Sequence, residues 1–195
     1  MIKFAVTGGI GSGKSYVSHL LGLMGIPIYC SDVEAKRLMV EDVVIKESLV
    51  ALLGEEVYLD GALNKPLLGA YLFSDPLHLK QINAIVHPRV RADFEEWVHR
   101  LAHLPIVGLE SAILYESGFD NLVDAVALVY APLPLRLKRT MKRDNLTQEQ
   151  VLARIAVQMD EAEKRKRAHF VLLNEPETAL LPQLESFVEA LKKRK

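Results

Sequence analysis

The sequence predicts an α/β protein in which a parallel sheet of five strands is covered by helices on both faces. Three observations predict this fold class. Short apolar runs alternate along the chain with longer segments of helical period, as in parallel strands joined by crossover helices. The runs are apolar at consecutive positions, which indicates burial on both faces of the sheet. A glycine-rich stretch, TGGIGSGKS, stands where the first strand passes into the first helix.

The same patterns place the elements in chain order. The predicted strands are 2–7, 26–29, 105–109, 125–130 and 169–173, and the predicted helices are 14–24, 33–53, 76–103, 133–143, 148–167 and 177–193. Thr147 is expected to cap the helix that follows it, because Gln150 completes the capping-box pattern three residues later. The roughly 75 residues between the second and third strands are long for one crossover and predict a helical insertion near 60–100.

Composition limits the classes of partner and compartment. A chain of 195 residues, 50% hydrophobic and 25% charged, is expected to form one globular domain. Its formal net charge of −1 provides no bulk field for nucleic acid or an anionic membrane, so neither partner is expected. Cys30 is the one cysteine and cannot form an internal disulfide. We expect a cytoplasmic protein, because there is also no membrane-spanning run and no signal sequence.

The glycine-rich stretch has the spacing of a phosphate-binding loop. Gly8, four intervening residues, Gly13, Lys14 and Ser15 follow a strand and open a helix. Glycines let the backbone curl so that its N–H groups point inward at phosphate oxygens. Lys14 is expected to reach the β- and γ-phosphates of ATP, and the Ser15 hydroxyl to ligate Mg²⁺. The predicted ATP-binding residues are Gly9, Ile10, Gly11, Ser12, Gly13, Lys14, Ser15 and Tyr16.

A loop of this kind is compatible with a kinase, a GTPase switch, or an ATP-dependent motor or binding module. A GTPase needs Asn-Lys-x-Asp, but Asn64-Lys65 is followed by Pro66 and Leu67. A motor ATPase usually has an apolar strand that ends in a magnesium-binding Asp. Here IVGLE ends in Glu110, which fits such an acid and a solvent-exposed acid equally well. These patterns favour the kinase.

A kinase also needs a group that orients or deprotonates the acceptor hydroxyl, and positive charge over the transferred phosphoryl group. Asp32 follows the second strand, where it fits either the catalytic role or a helix N-cap. The segment RLKRTMKRD supplies Arg136, Arg139 and Arg143, which fit either transition-state stabilisation or a solvated basic face. Residues 164–167, KRKR, are interpreted as a solvated helix end, and Cys30 as a buried apolar residue.

Taken together, these segments resemble the dephospho-CoA kinase family, which phosphorylates the ribose 3′-hydroxyl of dephospho-CoA in the last step of coenzyme A synthesis. The resemblance covers nearly the whole chain. It rests on the stretches TGGIGSGKS, SDVEAKRLM, INAIVHPRV, AILYESG, RLKRTMKRDNLTQEQVLARIAVQM and AHFVLLNE. It implies a P-loop NTPase fold with ATP and dephospho-CoA as substrates, Mg²⁺ as cofactor, and a monomer or small homo-oligomer.

The resemblance also implies an organisation and a set of site residues. The core is expected at about 1–59, 104–135 and 168–195, a helical CoA-binding insertion at about 60–103, and a lid at about 136–167. The implied catalytic residues are Asp32, Lys14, Arg139 and Arg143. The implied acceptor-binding residues are Asp32, Lys65, His87, Pro88 and Glu116. His87 precedes a proline and is expected to be extended.

Three stretches depart from the family pattern. Cys30-Ser31-Asp32 stands where the family usually has Asp-Ala-Asp, so only the second aspartate is retained. Ala112 replaces a common proline, and Lys65 replaces a common arginine, which keeps the charge and loses the bidentate fork. Two further readings remain open: a kinase of the same fold with another small acceptor, and a nucleotide-binding protein without transfer activity.

Overall fold

The computed structural model describes residues 1–194, apart from the side chains of Phe73 and Pro76. Lys195, the last residue of the predicted core range, lies outside the described residues. The chain divides into two compact units, which we describe separately. The first unit contains residues 1–30 and the chain from residue 101 onward, and the second unit contains residues 31–100.

The elements follow one another in chain order. The strands are β1 (Ile2–Thr7), β2 (Ile28–Cys30), β3 (Tyr58–Leu59), β4 (Ala62–Leu63), β5 (Ile106–Glu110), β6 (Ala125–Tyr130) and β7 (Phe170–Leu173). The helices are α1 (Lys14–Leu23), α2 (Ser31–Glu41), α3 (Val43–Leu53), α4 (Lys65–Ser74), α5 (Pro76–Arg100), α6 (Leu133–Asp144), α7 (Gln148–Ala156), α8 (Glu161–Arg167) and α9 (Leu180–Lys192). Short 3₁₀ turns lie at Glu55–Val57 and Phe119–Leu122.

The first unit contains the predicted parallel sheet. Its strand order is β2-β5-β1-β6-β7, and every neighbouring pair is parallel. The central strands are apolar and buried, as a sheet with both faces covered requires. The register sets Val6 and Cys30 on either side of Glu110, at the carboxyl end of β5. The sheet therefore brings the carboxyl end of β5 beside the start of the glycine-rich loop.

One apolar core holds this unit together. Phe4 packs edge-on against Phe187 of α9, and Phe187 in turn contacts Phe170 of β7, with ring centroids 5.2 and 5.1 Å apart. The core is shared by the sheet, α1 and α9, and its buried members include Val6, Val17, Leu21, Ala127, Leu172, Leu184 and Leu191. The loop that follows β1 is thus attached to a well-packed strand and a well-packed helix.

The second unit is helical, apart from a short hairpin of β3 and β4, which have two residues each. Helix α5 contacts α2, α3 and α4. The β3–β4 turn contains Asp60 and Gly61, both at positive φ, the Asp-Gly combination that tight hairpins prefer. Helix α5 continues through Pro88, so the expectation that His87 is extended is wrong. Val86 and Val90 are buried on α5, and this packing offsets the hydrogen bond that a proline removes from a helix.

Two predicted helices are each divided in the structure. Predicted helix 33–53 ends at Glu41 and restarts at Val43, because the Asp42 carboxylate accepts a hydrogen bond from the Ile45 N–H at 2.9 Å and caps α3. Predicted helix 148–167 is interrupted between α7 and α8, where Asp160 caps α8. The capping box of Thr147 and Gln150 is confirmed. Among residues 1–194, no helix has both the length and the apolar character needed to cross a bilayer.

Candidate active site

The glycine-rich loop joins β1 to α1 and curls back on itself. The Ser12 N–H donates to the Gly9 carbonyl at 3.0 Å, and Gly13 is the N-cap of α1. Gly11 and Gly13 have φ values of 78° and 92°, a left-handed conformation in which a side chain would be strained. The loop therefore ends at a helix N-terminus, where unpaired N–H groups favour phosphate oxygens.

Other segments of the first unit hold the loop through its carbonyl groups. Asn174, directly after β7, donates its side-chain amide to the Ser12 carbonyl at 2.8 Å. Arg139 of α6 approaches the same carbonyl at 3.4 Å. A side chain on Gly13 would overlap the Asn174 amide, and one on Gly9 would overlap the Arg136 guanidinium. These glycines are needed because neighbouring side chains come so close to the backbone.

The three predicted arginines of α6 have different surroundings. Arg136 is buried and pairs with Glu161, so the interpretation of a solvated basic face is wrong for this residue. Burial raises the pKa of Glu161, although the charge of Arg136 acts in the opposite direction. Arg139 reaches the loop. Arg143 instead forms two hydrogen bonds with Asp144, of 2.7 and 2.9 Å, and is mostly exposed.

Two side chains, one at the start of α1 and one at the end of β5, form an oxygen-rich pair. The Ser15 hydroxyl donates to one carboxylate oxygen of Glu110 at 2.6 Å. Glu110 is 6% exposed, so its alternative interpretation as a solvent-exposed strand end is wrong. The other carboxylate oxygen lies 3.4 Å from the Cys30 sulfur. Cys30 is half-buried, not the buried residue expected, and its thiol contacts a carboxylate.

The second unit carries four of the predicted site residues. Asp32 lies in the first turn of α2, which begins at Ser31, so it is not the N-cap of that helix. Lys65 is the first residue of α4. His87 and Pro88 lie on α5, and burial lowers the pKa of the His87 imidazole. The placement of these residues against the loop stays a prediction.

Glu116, the remaining predicted acceptor-binding residue, belongs to a polar network in the first unit. Its carboxylate accepts from the Met159 N–H at 2.7 Å and pairs with the Lys164 ammonium at 3.0 Å. Lys164 also donates to the Ala112 carbonyl at 2.9 Å. The side chain of Lys164 is 0% exposed, so the interpretation of KRKR as a solvated helix end is wrong at its first residue. Lys164 joins α8 to the segment after β5.

We expect Lys164→Met to lower the free energy of unfolding by about 3 kcal/mol, because it leaves the Ala112 carbonyl and the Glu116 carboxylate without their cation. Urea unfolding measures this change. Lys166→Met is the matched control, since Lys166 lies on the same helix but is exposed, and we expect no measurable change there. Equal losses in the two variants would contradict a special role for Lys164.

Comparison with known proteins decides the family. The family model for dephospho-CoA kinase matches residues 2–179. Dephospho-CoA kinases are 50% identical in Bacteroides fragilis, over 97% of this chain and 93% of the relative, and 39% identical in Porphyromonas gingivalis, over 100% and 96%. The chain belongs to the dephospho-CoA kinase family. The predicted family is thereby confirmed, and with it the prediction of a phosphotransferase of coenzyme A biosynthesis.

Solved structures confirm the predicted fold class. A Thermus thermophilus protein aligns with a TM-score of 0.83 at 40% identity, over 100% of this chain and 98% of that one. A dephospho-CoA kinase from Campylobacter jejuni aligns with a TM-score of 0.68 at 26% identity, over 98% and 96%. A shikimate kinase from Acinetobacter baumannii, at 18% identity and a TM-score of 0.56 over 100% and 95%, shares the fold. The fold is that of P-loop kinases, and ATP is the nucleotide that this family implies.

The donor atoms of the dephospho-CoA kinase site suit a hard cation. Ser15 and Glu110 present a hydroxyl and a carboxylate that meet at 2.6 Å. Mg²⁺ prefers oxygen ligands and is usually held by one or two protein groups together with substrate phosphates. Among residues 1–194 no cluster of three or more His, Cys, Asp or Glu side chains forms an all-protein metal site. The residues therefore fit Mg²⁺ bound jointly with a nucleotide.

Sequence reasoning missed several residues that surround the glycine-rich loop. Asn174 follows β7 at the carboxyl end of a strand, the edge where ligands of parallel sheets bind, so its position was a usable signal. Gln158 accepts a hydrogen bond from the Ile10 N–H at 3.0 Å, and Arg136 donates to the Ile10 carbonyl at 2.9 Å. These two contacts span 148 and 126 residues, and no local pattern predicts them.

Proposed function

We propose that this chain transfers the γ-phosphoryl group of ATP to the ribose 3′-hydroxyl of dephospho-CoA, which gives coenzyme A and ADP. The bond between the γ-phosphorus and the β–γ bridging oxygen breaks, and a bond from the 3′-oxygen to phosphorus forms. The observation that carries the proposal is the loop between β1 and α1, held by Asn174 and Arg139, in a chain of this family.

Charge on the transferred group is the main demand of this chemistry. The N–H groups at the start of α1 and the Lys14 ammonium bind the phosphates, as the loop spacing supports. Arg139 supplies a second cation, which its approach to the Ser12 carbonyl supports. Arg143 supplies a third once it leaves Asp144. We assign all three cations to the charge that develops on the equatorial oxygens.

Asp32 is the proposed base. Its carboxylate aligns the 3′-hydroxyl and accepts its proton during the attack. The place of Asp32 two residues after β2 supports this role, because ligands of open parallel sheets bind at the carboxyl ends of the strands. We assign Lys65, His87, Pro88 and Glu116 to acceptor binding. The insertion at 60–103 and the lid at 136–167 complete the proposed organisation.

Ser15 and Glu110 are the residues that would hold Mg²⁺ together with the ATP phosphates, Ser15 as a direct ligand. When bound, Mg²⁺ neutralises charge on the β- and γ-phosphates. Glu110 positions the Ser15 hydroxyl, as the 2.6 Å hydrogen bond supports. Cys30 is not a ligand in this proposal, because a thiol is a soft donor and Mg²⁺ prefers hard oxygen. We further propose a cytoplasmic monomer or small homo-oligomer that does not bind nucleic acid.

The proposal is tested by MgATP-dependent formation of ADP. The purified protein is assayed without acceptor, with dephospho-CoA, and with a panel of nucleosides, nucleotides and shikimate, and products are identified by mass. We expect ADP only with dephospho-CoA, together with a product heavier by one phosphoryl group. Turnover of another acceptor instead of dephospho-CoA would show that dephospho-CoA is not the substrate. Equal ADP formation with and without acceptor would indicate hydrolysis of ATP and contradict transfer to an acceptor.

We expect Glu110→Gln to raise the half-saturating Mg²⁺ concentration about tenfold and to lower kcat about 100-fold, because the neutral amide orients Ser15 less well and removes a negative charge beside the cation. The KM for dephospho-CoA should stay within twofold. Magnesium titrations at saturating substrates measure the shift. Glu177→Gln, at an exposed position, is the matched control. An unchanged magnesium dependence in Glu110→Gln would remove Glu110 from the site.

A further inference from the structure

The backbone of Ile10, in the middle of the phosphate-binding loop, is held on both sides by side chains from distant segments. Its N–H donates to the Gln158 side-chain carbonyl at 3.0 Å. Its own carbonyl accepts from the Arg136 guanidinium at 2.9 Å. The peptide groups of Ile10 are thereby held by two protein side chains, which sets the direction of the neighbouring loop groups.

Both holding residues are themselves supported. Arg136 is 5% exposed and pairs with Glu161, the first residue of α8. Gln158 stands in the segment between α7 and α8, and the next residue, Met159, donates its N–H to Glu116 at 2.7 Å. A side chain supported in this way is pre-organised, so it loses little entropy when it holds the loop. The support comes from residues outside the phosphate-binding motif.

Gln158 is the member of this arrangement that connects the end of α7 to the loop. Helix α7 is lightly packed, since Val151 is its buried residue among those described. The amide oxygen of Gln158 accepts the hydrogen bond from the Ile10 N–H. The side chain therefore acts on the loop as a hydrogen-bond acceptor and adds no charge beside the phosphates.

We propose that Gln158 is a positioning residue for ATP: it holds the Ile10 N–H so that the other N–H groups of the loop present the correct arrangement to the phosphates. The kinetic part of this inference rests on the proposed function. Nucleotide binding tests the role of Gln158 independently of that function. Loss of the acceptor leaves the Ile10 N–H partly buried without a partner, and the loop then samples arrangements that bind phosphate less well.

The test compares Gln158→Met, which keeps the length of the side chain and loses the amide acceptor, with the wild type. Titration of a fluorescent ATP analogue without acceptor should show a Kd about tenfold higher, the range expected for a lost hydrogen bond that leaves a buried donor. The KM for ATP should rise with it, and the KM for dephospho-CoA should stay within twofold. Thermal unfolding of the nucleotide-free protein should shift by no more than the few degrees that one lost hydrogen bond costs. Gln148→Met, at an exposed position on α7, is the matched control.

Gln158→Glu keeps the acceptor and adds a charge. We expect it to bind the analogue weakly at low salt and more tightly than Gln158→Met at high salt, where the charge is screened. Wild-type nucleotide binding by Gln158→Met would overturn the proposal. So would a loss of thermal stability with equal rises in both KM values, or equal binding by Gln158→Met and Gln158→Glu at every salt concentration. If wild-type protein does not phosphorylate dephospho-CoA, the proposed function fails while the binding comparison still decides the role of Gln158.

Discussion

Lys14→Ala is expected to lower kcat/KM for ATP by roughly 1,000-fold with the fold intact, because a point charge that meets the β- and γ-phosphates is lost where negative charge develops. Lys14 is the first residue of α1, and its side chain is partly exposed, so its removal leaves no cavity in the core. Steady-state kinetics measure the loss, and far-ultraviolet circular dichroism measures the helix content.

The control for Lys14→Ala is Lys192→Ala, which removes a positive charge from the exposed end of α9. Its activity should equal that of the wild type. If Lys14→Ala leaves both the circular dichroism spectrum and the activity unchanged, the loop does not bind ATP phosphates. A loss of helix content together with activity would instead indicate that Lys14 stabilises α1.

Asp32→Asn is expected to lower kcat by about 1,000-fold, within the range for removal of a general base, while the KM for dephospho-CoA changes less than threefold. The amide keeps the size of the side chain and cannot accept the proton of the 3′-hydroxyl. Asp32 also lies in the first turn of α2, where the helix dipole stabilises a carboxylate, so a small loss of stability is expected as well. Initial rates at saturating ATP and thermal unfolding separate the two effects.

Asp60→Asn is the matched control for Asp32→Asn. It makes the same chemical change in the same unit, at an exposed turn where asparagine tolerates the φ of 49°. We expect its kcat to equal that of the wild type. Near-normal turnover by Asp32→Asn, with the small loss of stability, would restrict Asp32 to a role in α2.

Much of the fold was predictable because its signals are local. The apolar runs of β1, β5 and β6 were placed within a residue of their observed bounds, since a strand covered on both faces is apolar at most of its consecutive positions. The helix boundaries were harder. Asp42 and Asp160 divide two predicted helices, because a carboxylate that caps the following turn competes with continuation of the helix. The turn Asp60-Gly61 has the pattern of a tight hairpin, but its flanking strands of two residues each are too short to show an apolar period.

The candidate site likewise contains residues that local sequence patterns predict and residues that they do not. The spacing of Gly8, Gly13, Lys14 and Ser15 predicted the loop and its place between β1 and α1. The sequence is compatible with two interpretations of Glu110, because a strand end does not reveal whether its carboxylate is solvated. Its burial against Ser15 comes from a residue 95 positions away. The burial of Lys164 is not predictable from the sequence either, because a basic run such as KRKR is typical of exposed residues.

Local sequence patterns predict the parallel sheet, the phosphate-binding loop, the capping box at Thr147 and the family. Each of these depends on residue types at fixed short spacings or on contiguous motifs. The burial of Arg136, the contact of Glu110 with Ser15 and the hydrogen bond from Ile10 to Gln158 become visible in the folded chain alone. The reason is physical: the free energy of a polar or charged side chain depends on how far it is desolvated and on which partner it meets, and neighbours along the chain specify neither.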